Sequence, residues 1–316
     1  MKIVIPGGTG QVGQLLARTF RSQGNEVVVV GRHPKEGVVQ WDGRTLGAWS
    51  RHMDGADVVI NLAGRSVNCR YTTKNLKAMM DSRVDSTRVV GQAIAAAAKP
   101  PRVWLQMSTA TIYAHRFDAA NDETTGIIGG DEPDVPAYWS YSIKVAQAWE
   151  ETLAQAQTPH TRKVALRSAM VMSADRGGIF DVLSGLVRAR LGGPMAGGKQ
   201  FMSWIHGADF VRAVQWLIDH DETTGAVNLA APQPLPQIEF MAALRRSWGV
   251  RIGLPATKWM ATVGAFFLRT DTELTLKSRR VKPGRLLEGG FQFDFPSWDA
   301  ASRDLVTAFK ERNSPA

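Results

Sequence analysis

Met1-Lys2-Ile3-Val4-Ile5-Pro6-Gly7-Gly8-Thr9-Gly10-Gln11-Val12-Gly13 opens the chain, and Glu26-Val27-Val28-Val29-Val30-Gly31-Arg32 follows it within one helix length. Met1 to Ile5 is a short apolar strand, and glycines at 7, 10 and 13 come directly after it. Val12, Leu15, Leu16 and Phe20 then recur on one helix face, and Gly24-Asn25 closes that helix. The valine run is a second buried strand. A glycine turn between strand and helix lets backbone approach a phosphate closely. The helix N-terminus behind it offers unpaired N–H groups and the positive end of the dipole. Three spaced glycines alone are a weak signal, but in strand–turn–helix–strand context they predict a dinucleotide site.

The end of the second strand selects the dinucleotide. An NAD site places Asp or Glu there to accept from the adenosine ribose 2′-OH. Here Gly31-Arg32 stands in that place, with His33 and Lys35 beyond it. A carboxylate would repel a 2′-phosphate, whereas a guanidinium can hold one bidentately. The sequence therefore predicts NADP.

The 316 residues suffice for one large domain or two modest ones, and 44% hydrophobic content suits a chain with a real core. The net charge of +9 favours anionic ligands, but the basic residues are scattered, and nucleic-acid binding is the weaker expectation. The single cysteine, Cys69, allows no internal disulfide and fits a reducing compartment. A strand beginning at Met1 leaves no room for a signal peptide. The longest apolar stretch, Trp259 to Leu268, is too short to span a bilayer. A cytoplasmic protein without a membrane segment is the expectation.

Strands and helices alternate through the first two-thirds, which predicts an α/β fold with a doubly wound parallel sheet. Further strands are expected at Val38–Asp42, Asp57–Gly64, Arg102–Met107 and Lys163–Arg167. Long helices are expected at about 74–98 and 141–156. Beyond these come a helix from about Ile179 to Arg190, a strand at Met202–His206, a helix from Asp209 to about His220 and a strand at Val227–Ala230. Pro232-Gln233-Pro234-Leu235-Pro236 marks a boundary. It divides a Rossmann-type domain, residues 1–231, from a smaller substrate-side lobe, residues 232–316, with 174–202 contributing to the cleft. Two or three helices and the strand-like stretch Gly289–Pro296 are expected in the lobe.

These signals resemble the extended short-chain dehydrogenase/reductase superfamily. Within it the chain is similar to the atypical "epimerase family" branch that carries a C-terminal domain of unknown function. The resemblance rests on Gly7–Gly13, Trp41-Asp42, Asn61-Leu62-Ala63-Gly64, Ser82-Arg83-Val84-Asp85-Ser86-Thr87, Ser108-Thr109-Ala110-Thr111-Ile112-Tyr113 and Trp149-Glu150. It continues through Ser203-Trp204-Ile205-His206 and Arg280-Val281-Lys282-Pro283 to Gly289-Gly290-Phe291, and covers nearly the whole chain. It implies that Gly7, Thr9, Gly10, Gln11, Val12 and Gly13 bind the pyrophosphate, and that Gly31 and Arg32 hold the 2′-phosphate. It also implies cofactor contacts from Leu62, Ala63, Gly64, Arg83, Lys144 and the segment Arg167 to Val171. A homodimer through the two long helices would follow by analogy.

Superfamily chemistry uses a Ser or Thr to hold the substrate oxygen, a Tyr as acid or base, and a Lys four residues later. The Lys binds the nicotinamide ribose and lowers the Tyr pKa. Thr109 takes the first place and Lys144 the last. Four residues before Lys144, however, stands Ser140. Tyr141 is one residue late, about 100° round a helix, and Tyr138 is two residues early. Three readings stay open. Tyr141 or Tyr138 reaches the site through a shifted helix start. Thr109 works with another acid, such as Ser140 or a residue of the last lobe. Or the chain binds NADP without turning it over, as a sensor or structural subunit. If it is an enzyme, it transfers hydride at a carbonyl or alcohol carbon of a small substrate, with an anion favoured by the charge.

Four other features are read as structural. Gly193-Pro194-Met195-Ala196-Gly197-Gly198-Lys199-Gln200 approaches a P-loop, but Gln200 replaces the magnesium-binding Ser or Thr and no strand leads in. The six histidines show no metal spacing. His206 reads as a buried, backbone-bonded histidine, Asp209 as a first-turn helix acid, and Arg279, Arg280, Lys282 and Arg285 as a solvated basic turn.

Overall fold

The computed structural model describes residues 1–133, 135–136, 138–256 and 273–313. The apolar stretch Trp259 to Leu268 lies outside the described residues. Seven parallel strands form the central sheet: β1 (Lys2–Pro6), β2 (Glu26–Gly31), β3 (Val38–Gln40), β4 (Val58–Asn61), β5 (Val103–Thr109), β6 (Arg162–Ser168) and β10 (Gly225–Leu229). Their order is β10-β6-β5-β4-β1-β2-β3. The order reverses between β1 and β4, and open sheets of this kind bind ligands at the C-terminal strand ends of such a switch point. The Rossmann-type expectation holds.

Strand alternation builds both faces. Ile3 and Ile5 of β1, with Ile60 and Leu105, meet Leu16 and Phe20 of α1 (Gln11–Ser22) and Phe210 and Leu217 of α5 (Gly207–Asp219). Val4, Val59 and Trp104 point the other way, toward Val89, Val90 and Ile94 of α2 (Thr73–Ala95) and Leu153 of α3 (Trp139–Gln155). Two layers of helix thus cover one sheet.

Four short strands lie outside the central sheet. β7 (Met170–Met172) pairs in parallel with β9 (Trp204–His206), and β8 (Phe201–Met202) pairs antiparallel with β11 (Leu235–Pro236). The expected single strand at Met202–His206 is therefore broken at Ser203. That buried hydroxyl donates to Arg279 O at 2.7 Å and accepts from Val281 N at 2.9 Å, so this position joins the C-terminal segment instead of continuing a ladder. The third strand ends at Gln40, short of Asp42. The Asp42 carboxylate accepts from Arg44 N, Thr45 N and the Thr45 hydroxyl and turns the chain. Those bonds, the Thr45 hydroxyl first, hold its pKa down to about 2.

The C-terminal helices are α6 (Gln237–Trp248), the short α7 (Glu273–Leu276) and α8 (Gly284–Glu288), and α9 (Trp298–Asn313). Their core joins α4 (Ile179–Arg188): Phe240 stacks on Trp298 with centroids 4.0 Å apart, and Phe180 meets Phe309 edge-on. The strand-like stretch Gly289–Pro296 forms no ladder. Gly290 turns the chain with φ +80°, and the Asp294 and Phe295 N–H groups donate to the buried Asp209 carboxylate at 2.8 and 2.9 Å. Among the described residues no helix is long and apolar enough to cross a membrane.

Candidate functional site

The glycine turn lies at the switch point, and its geometry explains its residues. Gly7 has φ +76°, and a Cβ there would stand 2.6 Å from the Ala63 backbone. A Cβ on Gly13 would stand 2.4 Å from Gly8 Cα, so α1 and the turn pack backbone to backbone. At Gly10 the nearest atom is 3.8 Å away. The turn is closed on its protein side and open at its middle glycine. Gly10 caps α1 without a side-chain bond, and no acid stands in the first turn. The positive helix end is thus left for an external anion. Gln11 adds a buried Nε2 that has no partner among the described residues. It lies under Gly178, whose Cβ would overlap it. An uncapped helix end, an open glycine and an orphaned amide donor all fit a pyrophosphate.

Thr9 packs its methyl against Gly31, where a Cβ would come within 2.7 Å, and so brings the turn beside the end of β2. Arg32 follows, exposed and without an ion pair among the described residues. Val12 is partly buried on α1, and Val171 is buried on β7 opposite Ile205. At the end of β4, Leu62 N donates to Pro6 O, and Ala63 N donates to the Asn61 side chain. Gly64 faces the Arg83 guanidinium, whose Cζ would lie 3.3 Å from a Cβ there. Arg83 also lies over the Trp149 ring at 4.9 Å and donates to Met79 O. Burial pulls its pKa down to about 10.

Thr109 ends β5, and its hydroxyl accepts from Thr111 N at 3.1 Å. Among the described residues its own O–H has no acceptor. Below it a polar network crosses the sheet. Ser108 donates to Glu150 at 2.6 Å, and Arg167 grips the same carboxylate with two bonds of 2.9 and 2.8 Å. Arg167 also donates to the Tyr113 hydroxyl at 2.9 Å, which donates to Asn228. Burial disfavours the Arg167 charge, but the Glu150 carboxylate outweighs it and raises the Arg167 pKa. Glu150 was legible only as half of a Trp-Glu pair, with no signal for its role.

Helix α3 begins at Trp139. Ser140 lies one turn before Lys144, which is exposed. Tyr141 is partly buried toward α2, within electrostatic reach of Lys77, and Tyr138 meets the Tyr71 ring edge-on at 6.4 Å. Among the described residues no hydrogen bond joins Thr109, Tyr141 and Lys144 to one another.

The basic turn departs from expectation in three of its four residues, Lys282 being exposed as expected. Arg279 is partly buried, donating to the Thr111 hydroxyl at 3.0 Å, and Arg280 and Arg285 are spent on backbone carbonyls. These cations are docking groups, because the last lobe must meet carbonyls left at loop ends. Sequence reading missed Lys277, which is 2% exposed. Its Nζ donates to Thr111 O at 2.9 Å and lies 3.7 Å from Glu273, which accepts from Ser142 at 2.6 Å. Burial pulls the Lys277 pKa down to about 8, opposed by Glu273 and aided by Arg279. One lysine in a basic run carries no sequence mark of burial.

His206 caps α5: Nδ1 accepts from Ala208 N at 3.1 Å, so Nε2 carries the proton toward Asp304. It also stacks on Phe295.

Comparison with known proteins agrees with this geometry. The sequence model of the NAD dependent epimerase/dehydratase family matches residues 3–230, and a domain of unknown function, DUF1731, matches residues 257–305. Human epimerase family protein SDR39U1 is 29% identical over 311 residues, covering 97% of this chain and all of that protein. An epimerase family protein of Staphylococcus epidermidis is 27% identical over 320 residues, covering 97% of this chain and 99% of that one. The crystal structure of human SDR39U1 with NADPH superposes with a TM-score of 0.84 at 27% identity, over 97% of this chain and 99% of that chain. With the glycine turn at the switch point and a family match spanning every strand of the central sheet, the chain belongs to the NAD dependent epimerase/dehydratase family.

Proposed function

We propose that the protein is an NADP-dependent oxidoreductase or epimerase-like enzyme acting at a carbonyl or alcohol carbon of a small substrate. The observation that carries the reading is the exposed Arg32 at the end of β2, beside an uncapped glycine turn. No acid stands there to repel a 2′-phosphate. The human relative crystallised with NADPH supports the same choice. Residues 1–231 hold the nucleotide and 232–316 bear on the substrate side.

When bound, the nicotinamide supplies the hydride donor or acceptor. Gly7, Gly10, Gln11, Val12 and Gly13 receive the pyrophosphate, and Leu62, Ala63 and Gly64 border the nucleotide. Thr109 donates its free O–H to the substrate oxygen, while Ser108, tied to Glu150, keeps the strand end in place. Tyr141, the one tyrosine within α3, is assigned to proton transfer, and Lys144 to the ribose. A second reading, a dinucleotide-binding sensor or structural subunit, is favoured by Ser140 standing one turn before the exposed Lys144.

Fluorescence titration with NADPH and NADH tests the cofactor, and NADPH consumption over a carbonyl panel tests turnover. Tight NADPH binding that Arg32→Ala weakens roughly 10- to 100-fold, with NADH unaffected, is expected. Equal affinity for the two nucleotides in the unaltered chain would sink the assignment. Binding without turnover on any carbonyl would select the sensor.

A further inference from the structure

A second glycine pair, Gly177-Gly178, meets the first turn of α1. It ends residues 173–178, which connect β7 to α4. Arg176 and Gly177 are exposed, but Gly178 is buried. The atoms nearest it on its Cβ side belong to Gln11, the first residue of α1. A Cβ on Gly178 would stand 1.9 Å from Gln11 Nε2, 2.5 Å from Cδ and 2.6 Å from Oε1, so the terminal amide fills the place of a side chain at 178. Two ordinary contacts are forgone for this arrangement. Gly178 is the N-cap of α4, where a Ser, Thr, Asp or Asn would bond the helix end, and it makes no such bond. Gln11 Nε2 is itself buried without a partner among the described residues, which is costly for an amide donor. The connecting residues are also pinned. Asp175 pairs with Arg18 of α1 at 3.1 Å and with Arg312 of α9, and it accepts from the Ser173 hydroxyl at 2.6 Å. Gly177 N donates to Asp181 at 2.8 Å, and Phe180 is fully buried. The Gln11 amide is thus held in one place, one residue along the chain from the open Gly10.

We propose that residues 173–178 are a second wall of the dinucleotide site, in which Gly178 positions the Gln11 amide to donate to the pyrophosphate. This rests on the reading of the glycine turn as a dinucleotide site. Gln11 is the binding residue, and Gly178 acts through it as a positioning residue. An amide has two N–H donors, and the diphosphate supplies the charged acceptors that the protein withholds from it. Any side chain at 178 would take the space of the amide and push it aside. The loop after β7 therefore serves the cofactor as well as the cleft. Its part differs from that of Arg32, which meets the 2′-phosphate and selects between dinucleotides. Gly178 governs a group common to both dinucleotides and sets the strength of the grip alone.

The test compares Gly178→Ala, Gln11→Ala and the double variant with the unaltered chain. Gly178 has φ −89°, which alanine adopts without strain, and the added Cβ meets only the flexible end of Gln11, so the variant is expected to fold. NADPH affinity is read by fluorescence titration. 2′-AMP, which carries the 2′-phosphate but no pyrophosphate, is read by displacement of NADPH, and melts without ligand report the fold. Each single variant should bind NADPH about tenfold or more weakly, with 2′-AMP affinity and the melt unchanged. The double variant should bind no more weakly than Gln11→Ala, because both changes remove one contact. Unchanged NADPH affinity in Gly178→Ala overturns the proposal, and so do losses that add in the double variant. A loss of 2′-AMP binding and of melting temperature together with NADPH binding would make Gly178 a fold residue only, which also overturns it. An unaltered chain that binds no NADPH would remove the dinucleotide reading itself, and this inference with it, whereas insensitive variants of a chain that binds NADPH would remove the inference alone.

Discussion

Glu150 is held by three donors, two from Arg167 and one from Ser108, within a pair that is largely buried. Removing the carboxylate leaves a buried guanidinium with Tyr113 as its one hydrogen-bond partner among the described residues, whereas removing both charges does not. Glu150→Ala should therefore cost about 3–5 kcal/mol, and Glu150→Ala with Arg167→Met clearly less. Urea denaturation of the two variants checks this, and a single variant no weaker than the double would refute it. The histidines set an acid limit. Burial, first among causes, lowers the pKa of His206, His115 and His52 below 6.5 in the folded state. The unfolded chain then binds more protons as pH falls below 6.5, so stability is full above that value and declines below it. Denaturation midpoints at pH 7.5, 6.5 and 5.5 should fall in that order, with His206→Gln flattening part of the slope. A flat profile over this range would contradict the assignment.

At the scale of elements, the packing of α1 on the turn is set by one missing atom. Gly13→Ala would place Cβ 2.4 Å from Gly8 Cα and against backbone alone, with no side chain able to give way. A loss of about 1–3 kcal/mol is expected, together with weaker nucleotide binding, since the turn must shift to relieve the clash. Thermal melts and the NADPH titration read the two effects separately, and an unchanged melt would show that the turn yields freely. The central sheet was legible because each strand is an apolar run bounded by turn residues, and the dinucleotide turn was legible because only glycine fits such approaches. Element ends were less so. Asp42 cuts β3 short through a turn that its neighbours Arg44 and Thr45 complete, and Ser203 breaks a strand because its partner lies 76 residues away at Arg279. The cluster of Lys277, Glu273 and Arg279 was not legible at all. Its meaning depends on which loop end the last lobe covers, and no local pattern records that.

For the whole molecule, the C-terminal helices α6 and α9 share a core with α4 and the short strands β7, β8 and β9, and Trp298 is central to it. Its ring stacks on Phe240, tilts against Trp204, and its Nε1 donates to Phe240 O at 2.9 Å. Trp298→Ala should cost about 3–5 kcal/mol and loosen α9 from α6. Hydrogen exchange should then quicken first in these two helices, and uniform quickening across the sheet would speak against a separable lobe. The joint between lobe and sheet has a further property. Asp209 accepts from the backbone N–H groups of Asp294 and Phe295, and Ser203 joins the backbone of Arg279 and Val281. On the lobe side these bonds are made by main chain, which every residue but proline supplies. These anchors therefore survive a change of side chain at Asp294, Phe295 or Val281, whereas those made by the side chains of Lys277, Arg279, Arg280 and Arg285 do not. The hold on the C-terminal segment is thus divided between bonds indifferent to the residue that makes them and bonds that need a cationic side chain.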